Sequence, residues 1–180
     1  MIEAVSNPTL RVADVTGIAE LAAAHGALLV VDNTFTTPAM FRPMQHGADI
    51  VINSITKFLA GHSDVTLGYV AARDPGLRTA IYDAAVTWGT TPSPFDCWLA
   101  ERGLHTFDLR FEKATNFLPR FIDPLREAGR LQTVTLPSLW RLGAREFCWI
   151  APNETLSLDG GRDEWKPSPT GGFMYIMAGD

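Results

Sequence analysis

One lysine in this sequence lies just past a buried apolar segment. Residues 49 to 53, D-I-V-I-N, form an apolar strand pattern closed by polar residues, and Lys57 follows shortly after. Ligands of open α/β sheets bind outside the carboxyl ends of the strands, so this lysine is placed for chemistry. A lysine in a partly apolar site loses its charge more readily than one in water, which a Schiff-base nucleophile requires. Ser54 and Thr56 add hydroxyls that can hold a phosphate.

A carboxylate ends another apolar segment earlier in the chain. Residues 27 to 31 are all apolar and Asp32 follows them, 25 residues before Lys57. That interval fits one connection and the next strand, which would bring both side chains to the same edge of a sheet. A carboxylate beneath a pyridine nitrogen keeps the nitrogen protonated, and the protonated ring then accepts the electrons of a substrate carbanion. The pair indicates chemistry on a pyridine ring.

The segments that must position these residues predict an α/β fold, with a central, mostly parallel sheet and flanking helices. Asp14 is a candidate N-cap and Gly26 a candidate stop for a first helix. The predicted strands are 27–32, 49–53 and 67–72, and the spacing of the last allows an antiparallel member. Later helices are predicted over 75–85, from Ser93-Pro94 up to an interruption at Gly103, and over 104–118, bounded by Pro119.

Composition narrows the classes of partner. The chain has 180 residues, 46% of them hydrophobic, which is enough for one sizeable core. A formal charge of −5 disfavours nucleic-acid binding, which needs clustered cations. No apolar run is long enough for a membrane span, and the opening residues do not resemble a secretory leader, so we expect a cytoplasmic protein without a membrane partner.

A metal site is the main alternative for the polar residues near Lys57. Asp32, His46, His62 and Asp64 offer metal-binding atoms, but G-H-S-D is not a known ligand spacing, and a histidine in such a turn is usually structural. Cys97 and Cys148 lack the C-x-x-C spacing of a zinc or redox pair. We therefore predict no metal centre.

Three motifs resemble one enzyme family. Residues 54 to 62, S-I-T-K-F-L-A-G-H, and residues 32 to 35, D-N-T-F, resemble the lysine and aspartate motifs of the Cys/Met-metabolism, or trans-sulfuration, family of pyridoxal-phosphate enzymes. Residues 3 to 8, E-A-V-S-N-P, are similar to a third family motif, with Val5 where proline is usual. The segment 93–110 also resembles a helix-and-turn segment of the family, outside the cofactor's immediate surroundings.

The resemblance implies a role for five residues. Lys57 would hold pyridoxal 5'-phosphate as a Schiff base and act as the catalytic residue, and Asp32 would pair with the pyridinium nitrogen. Ser54 and Thr56 would bind the phosphate, and Asn7 would touch the phenolic oxygen of the ring. The implied activity is a C–S lyase or synthase of sulfur amino-acid metabolism, working by β or γ elimination or replacement on an amino-acid substrate. Family members are homotetramers, built as dimers of dimers with shared active sites.

The resemblance extends over residues 3–139 and implies part of the large cofactor-binding domain of a fold type I, aminotransferase-like enzyme. We accordingly expect residues 1–139 to form a partial cofactor-binding domain with its following helices. Residues 140–180 would be a divergent, poorly ordered tail where a C-terminal subdomain begins. Because other parts of the family's site have no counterpart here, the alternative is a truncated, non-catalytic remnant.

Overall fold

The computed structural model describes residues 1–7 and 10–127, which fall in two compact units. The first unit comprises Met1–Ser6 and Ala13–Asp108 and contains the sheet. Among the described residues, the second comprises Asn7, residues 10–12 and residues 109–127. The predicted boundary after residue 139 and the predicted tail 140–180 lie outside the described residues.

The sheet has four strands in the order β1-β2-β3-β4, with bounds Ile2–Glu3, Val30–Asp32, Ile50–Ser54 and Gly68–Ala72. β1, β2 and β3 are parallel, and β4 is antiparallel to β3. The structure thus confirms the predicted mostly parallel sheet, and β4 is the antiparallel member that the sequence left open. Its core consists of buried apolar side chains on and beside these strands: Leu29, Val31, Phe41, Ala48, Val51, Leu59, Val65 and Ala72.

The helices are α1 (Val15–Ala24), α2 (Thr37–Met40), α3 (Pro75–Thr87), α4 (Pro94–Leu104) and α5 (Phe107–Glu127), with a 3₁₀ turn over Pro43–His46. The predicted caps are confirmed, because Asp14 accepts a hydrogen bond from the Gly17 amide and Ser93 accepts one from the Asp96 amide. Gly26 follows α1 with a φ of 65°, the left-handed conformation that a glycine stop provides.

The strand predicted over 27–32 is shorter than its apolar sequence suggests. Leu29 is buried, but its amide donates to a side-chain oxygen of Asp49 at 2.8 Å instead of joining a ladder between strands. Regular pairing therefore begins only at Val30, opposite Ile50. Leu28 remains 54% exposed, so the predicted burial of this residue is wrong.

The predicted helix boundaries after residue 100 are also wrong. α4 passes through Gly103 and ends at Leu104. The backbone of residue 60 comes close to the helix at Gly103, so this glycine serves the close contact and does not interrupt the helix. α5 begins at Phe107 and continues past Pro119 and Pro124 to Glu127. A proline removes a backbone donor and usually ends or bends a helix, so the two prolines predict a boundary that this helix does not have.

Candidate active site

Lys57 lies in a five-residue π-helical turn, Ile55–Leu59, that begins directly after β3. The turn is closed by the Ala60 amide, which donates to the Ile55 carbonyl at 2.8 Å. Lys57 itself has non-helical dihedral angles, φ −84° and ψ −118°, within this turn. Isolated π-helical turns are rare and occur often at functional sites. Lys57 is thus the residue at which the helical backbone of this turn is interrupted.

The glycine of the lysine motif has a conformational reason. Gly61 has a φ of 69°, and its amide donates to the carbonyl of Lys57 at 2.8 Å. A residue with a side chain adopts this left-handed conformation less readily than glycine does. The carbonyl of Lys57 is therefore held by the amide of Gly61, whose backbone conformation favours glycine.

Thr56 connects the turn to the start of β4. Its hydroxyl donates to the Leu67 carbonyl at 3.1 Å and accepts from the Leu67 amide at 2.9 Å. A hydroxyl has one hydrogen to donate, and here that hydrogen is directed to Leu67. In this arrangement Thr56 positions the Lys57 turn, and its predicted contact with a phosphate would require that hydrogen to rotate.

Asp32 and Ser54 lie on the same face of the sheet. Asp32 pairs with Ile52, and Ser54 is two residues further along β3, so the alternation of side chains places both on one side. Thr34 links them, since its amide donates to Asp32 Oδ1 at 2.9 Å and its hydroxyl accepts from the Ser54 amide at 2.8 Å. The predicted meeting of the two strand ends is what the structure shows.

Below these residues lies a buried polar network that the sequence analysis did not single out. The Asn33 side chain donates to the Phe41 carbonyl at 2.9 Å and accepts from the Thr36 hydroxyl at 2.6 Å. Its main-chain carbonyl accepts from the Asn53 side chain at 3.2 Å. Asn33, Thr36 and Asn53 are all buried. The network fixes the ends of β2 and β3, and the only sequence signal for it is the run of polar residues that follows each strand.

Tyr69 closes this network on β4, opposite Asn53. Asn53 Nδ2 lies 3.4 Å from the Tyr69 hydroxyl. Burial raises the pKa of the Tyr69 hydroxyl above its ordinary value, and the hydrogen bond with Asn53 acts in the opposite direction. The phenol therefore stays protonated as an uncharged part of the site's support.

An aromatic contact also joins the two motifs. The rings of Phe35 and Phe58 meet edge to face, with centroids 6.5 Å apart and an interplanar angle of 60°. Phe35 is the last residue of the aspartate motif, and Phe58 follows Lys57 directly. The segments that carry Asp32 and Lys57 are thus in contact through side chains as well as through the backbone.

The polar groups available at this site fit pyridoxal phosphate. Within the described part of the chain, the Lys57 amine, the second oxygen of Asp32 and the Ser54 hydroxyl make no hydrogen bond or ion pair. An amine, a carboxylate oxygen and a hydroxyl are the groups needed for the aldehyde, the ring nitrogen and the phosphate. Asn7 is exposed and belongs to the second unit, so its predicted contact with the ring remains a prediction.

The residues considered as metal ligands have other partners. Nδ1 of His62 lies 2.5 Å from the Ala60 carbonyl, Asp64 pairs with Arg102 at 2.6 Å, and His46 stacks on Phe41. Across the described ranges, no group of three or more His, Cys, Asp or Glu side chains is arranged to hold a metal ion. None of the helices in those ranges has the length and apolarity of a membrane span.

Comparison with known proteins points to one family. Residues 1–146 match the family model described as Cys/Met metabolism PLP-dependent enzyme. Cystathionine beta-lyase of Bacillus subtilis is 41% identical over 138 residues, which is 77% of this chain and 35% of that protein. The chloroplastic cystathionine beta-lyase of Arabidopsis thaliana is 45% identical over 112 residues, which is 62% of this chain and 24% of that protein.

Solved structures agree with the sequence relatives. Cystathionine gamma synthase from Xanthomonas oryzae pv. oryzae, in complex with aminoacrylate and cysteine, superposes with a TM-score of 0.78 at 36% identity. The match covers 89% of this chain and 43% of that one. Yeast cystathionine gamma-lyase gives a TM-score of 0.71 at 37% identity, over 78% of this chain and 38% of that one. The chain therefore spans well under half the length of these relatives.

Proposed function

This chain belongs to the Cys/Met metabolism family of pyridoxal-phosphate-dependent enzymes, and from that premise we propose that it binds the cofactor at Lys57 and acts on a sulfur amino acid. The observation that carries the proposal is the hydrogen-bonded link from Asp32 through Thr34 to Ser54, directly before the Lys57 turn. It holds the predicted carboxylate and the predicted phosphate-binding hydroxyl on one face of the sheet. The free amine of Lys57 supplies the third group.

Each residue has a separate task in this proposal. The second oxygen of Asp32 accepts a hydrogen bond from the ring nitrogen and keeps its proton in place, while Ser54 donates to the phosphate. Thr56 joins Ser54 when its hydroxyl hydrogen turns away from Leu67. Asn7 would contact the phenolic oxygen, as the family motif implies. Bound pyridoxal phosphate supplies a protonated ring that accepts the electron pair left on the substrate's α-carbon.

Lys57 has two tasks. Its Nζ would hold the cofactor, and when it is free of the cofactor the same amine would be the base that removes the substrate's α-proton. Half-buried in the turn, the side chain is partly screened from competing water. We propose elimination or replacement at Cβ or Cγ, which breaks or forms a C–S bond. Cystathionine lyases and synthases among the relatives support this class of substrate.

Assembly and location belong to the same proposal. The expected homotetramer and cytoplasmic location rest on family membership and on the sequence expectations above. Sedimentation of the purified chain, with and without pyridoxal phosphate, tests the assembly directly. A single monomeric species at micromolar concentration under both conditions would contradict it.

The cofactor proposal is tested by covalent labelling. Purified protein is incubated with pyridoxal phosphate, reduced with borohydride and digested, and we expect mass spectrometry to find the label on the peptide that contains Lys57. Lys57→Ala should abolish the label, whereas Lys113→Ala, which removes an exposed helical lysine, should leave it unchanged. Labelling distributed equally over Lys57 and Lys113 would refute the proposed site.

Activity is tested on protein incubated with pyridoxal phosphate and not reduced, because borohydride fixes the cofactor to Lys57 and removes the free amine that the reaction requires. Cystathionine, methionine and an acylhomoserine are offered in turn, the last together with cysteine or sulfide, and release of a thiol or a keto acid, or consumption of the added thiol, is measured. Turnover that Lys57→Ala removes supports the lyase or synthase proposal. Specific labelling of Lys57 without turnover on all three substrates would retain the binding site and refute the proposed activity of this chain.

A further inference from the structure

Helix α4 contacts the segment after Lys57 through its backbone. Gly103 is buried in α4, and a Cβ atom placed on it would lie 2.4 Å from the Ala60 carbonyl oxygen and 2.7 Å from the Ala60 Cα. Real Cβ atoms do not come this close to a backbone, so any side chain at residue 103 would displace either the helix or the turn. Glycine is therefore required by the contact, although the helix itself would favour alanine.

Arg102, the residue before Gly103 in α4, contacts Asp64, which lies four residues after Ala60. Its guanidinium lies 2.6 Å from Asp64 Oδ2. It also lies over the ring of Trp98, one helical turn earlier, at 5.5 Å from the ring centroid. The guanidinium is thus oriented by its own helix toward Asp64. Two successive residues of α4 hold two points of the segment from Ala60 to Asp64.

Hydrogen bonds connect this segment to Lys57. Ala60, which Gly103 contacts, donates its amide to Ile55 at 2.8 Å and so closes the turn around Lys57. Gly61 donates to the Lys57 carbonyl at 2.8 Å. A displacement at Ala60 or Gly61 therefore moves the peptide that carries the lysine. A shift of about 1 Å in a catalytic group can lower a rate by about 10²-fold, so this connection matters for the chemistry.

We propose that Arg102 and Gly103 are positioning residues that hold the Lys57 amine in place through the segment from Ala60 to Asp64. The inference rests on the proposed function of Lys57 and extends it to a helix that has no contact with the ligand in that proposal. The segment 93–110, which resembles the family but suggested no chemistry, thereby has a positioning role.

Two readouts in the intact chain test the inference. The first is the rate at which pyridoxal phosphate and borohydride label Lys57. The second uses no cofactor: limited acetylation is followed by mass spectrometry, and the modification of Lys57 is divided by that of Lys113 in the same molecule. The variants are Arg102→Gln and Gly103→Ala, with Arg102→Lys as the conservative replacement. Arg78→Gln and Gly76→Ala on α3 are the matched controls, since a Cβ at Gly76 meets only a side-chain oxygen, at 3.0 Å.

We expect Gly103→Ala, which forces the helix and the turn apart, to slow labelling of Lys57 by roughly tenfold. Arg102→Gln removes an ion pair whose side chains are 49% and 29% exposed, and should slow labelling by up to about fivefold. The acetylation ratio should rise, because a displaced Lys57 is less buried. Arg102→Lys should recover most of both values, and the two controls should match the parent protein. Circular dichroism and the thermal midpoint identify which variants are folded.

Folded Arg102→Gln protein with unchanged labelling and acetylation would overturn the inference and leave α4 as a packing helix. Should Gly103→Ala fail to fold, the Arg102 pair of variants still decides the question. Absence of specific labelling in the parent protein would refute the proposed function instead, and the acetylation ratio would still show whether α4 positions the lysine.

Discussion

Replacing Asn33 with alanine should destabilise the first unit more than the small size of the change suggests. The Asn33 side chain is 1% exposed, and it makes hydrogen bonds of 2.9 Å to the Phe41 carbonyl and 2.6 Å to the Thr36 hydroxyl. Both partners belong to residues that are 3% exposed or less, so water does not replace the lost bonds. The substitution leaves one buried acceptor and one buried donor unsatisfied.

The magnitude follows from those two orphaned groups. Leaving a buried polar group without its partner costs about 1–3 kcal/mol, so Asn33→Ala should lower the free energy of unfolding by about 2–6 kcal/mol. Domains of this size are stable by about 5–15 kcal/mol, so a large fraction of the stability is at stake. Thr36→Val removes only the hydroxyl and should cost about 1–3 kcal/mol.

Urea unfolding followed by circular dichroism measures these values, and a double-variant cycle tests the cause. Once Thr36→Val is present, Asn33→Ala no longer strands the Thr36 hydroxyl. The two effects should therefore be non-additive by about 0.5–3 kcal/mol, as for residues in one hydrogen-bonded network. A cost below about 1 kcal/mol for Asn33→Ala, or strict additivity, would refute the assignment of this network.

Two further predictions concern the supports of the site. Thr34→Val leaves the Ser54 amide without its acceptor and should lower the free energy of unfolding in urea by about 1–3 kcal/mol. Thr34→Ser keeps the hydroxyl and should lower it clearly less. Equal losses for the two variants would contradict the role of this bond. Because the pKa of Tyr69 is raised on folding, the unfolded chain loses this proton first, and stability should fall as the pH rises through about 10. Tyr69→Phe should flatten that decline while Tyr82→Phe, at an exposed tyrosine, should not; identical pH profiles for both would refute the assignment to Tyr69.

The parts of the fold that were predictable depend on local physics. Asp14 and Ser93 cap their helices through their own side chains, and the segment 49–53 forms a strand because it is apolar and bounded by polar residues. Asp32 could be placed because it ends an apolar segment. Each of these features is encoded within a few neighbouring residues, so a pattern in the sequence is enough to detect it.

The parts that were missed depend on distant contacts. Gly103 was expected to interrupt a helix, and only the approach of Ala60 explains why the helix needs a glycine there. The late start of the predicted strand, at Val30, results from the Asp49 side chain, which binds the Leu29 amide from 20 residues away. The donor and acceptor roles of Thr56 and Asn53 likewise depend on residues distant in the sequence, Leu67 for Thr56 and Asn33 and Tyr69 for Asn53. No periodicity in the sequence carries that information.

The residues that follow Asp32 hold the register between β2 and β3. Side chains alternate along a strand, so a slip of one residue between β2 and β3 would turn Asp32 to the opposite face from Ser54. The Thr34 hydroxyl opposes such a slip because it accepts a hydrogen bond from the Ser54 amide. The main-chain carbonyl of Asn33 opposes it by accepting one from the Asn53 side chain. The polar residues beside Asp32 thus fix the register on which its position relative to the Lys57 turn depends. Thr34→Val and Asn53→Leu each remove one of these two bonds and should therefore impair labelling of Lys57, although neither residue is assigned a contact with the cofactor.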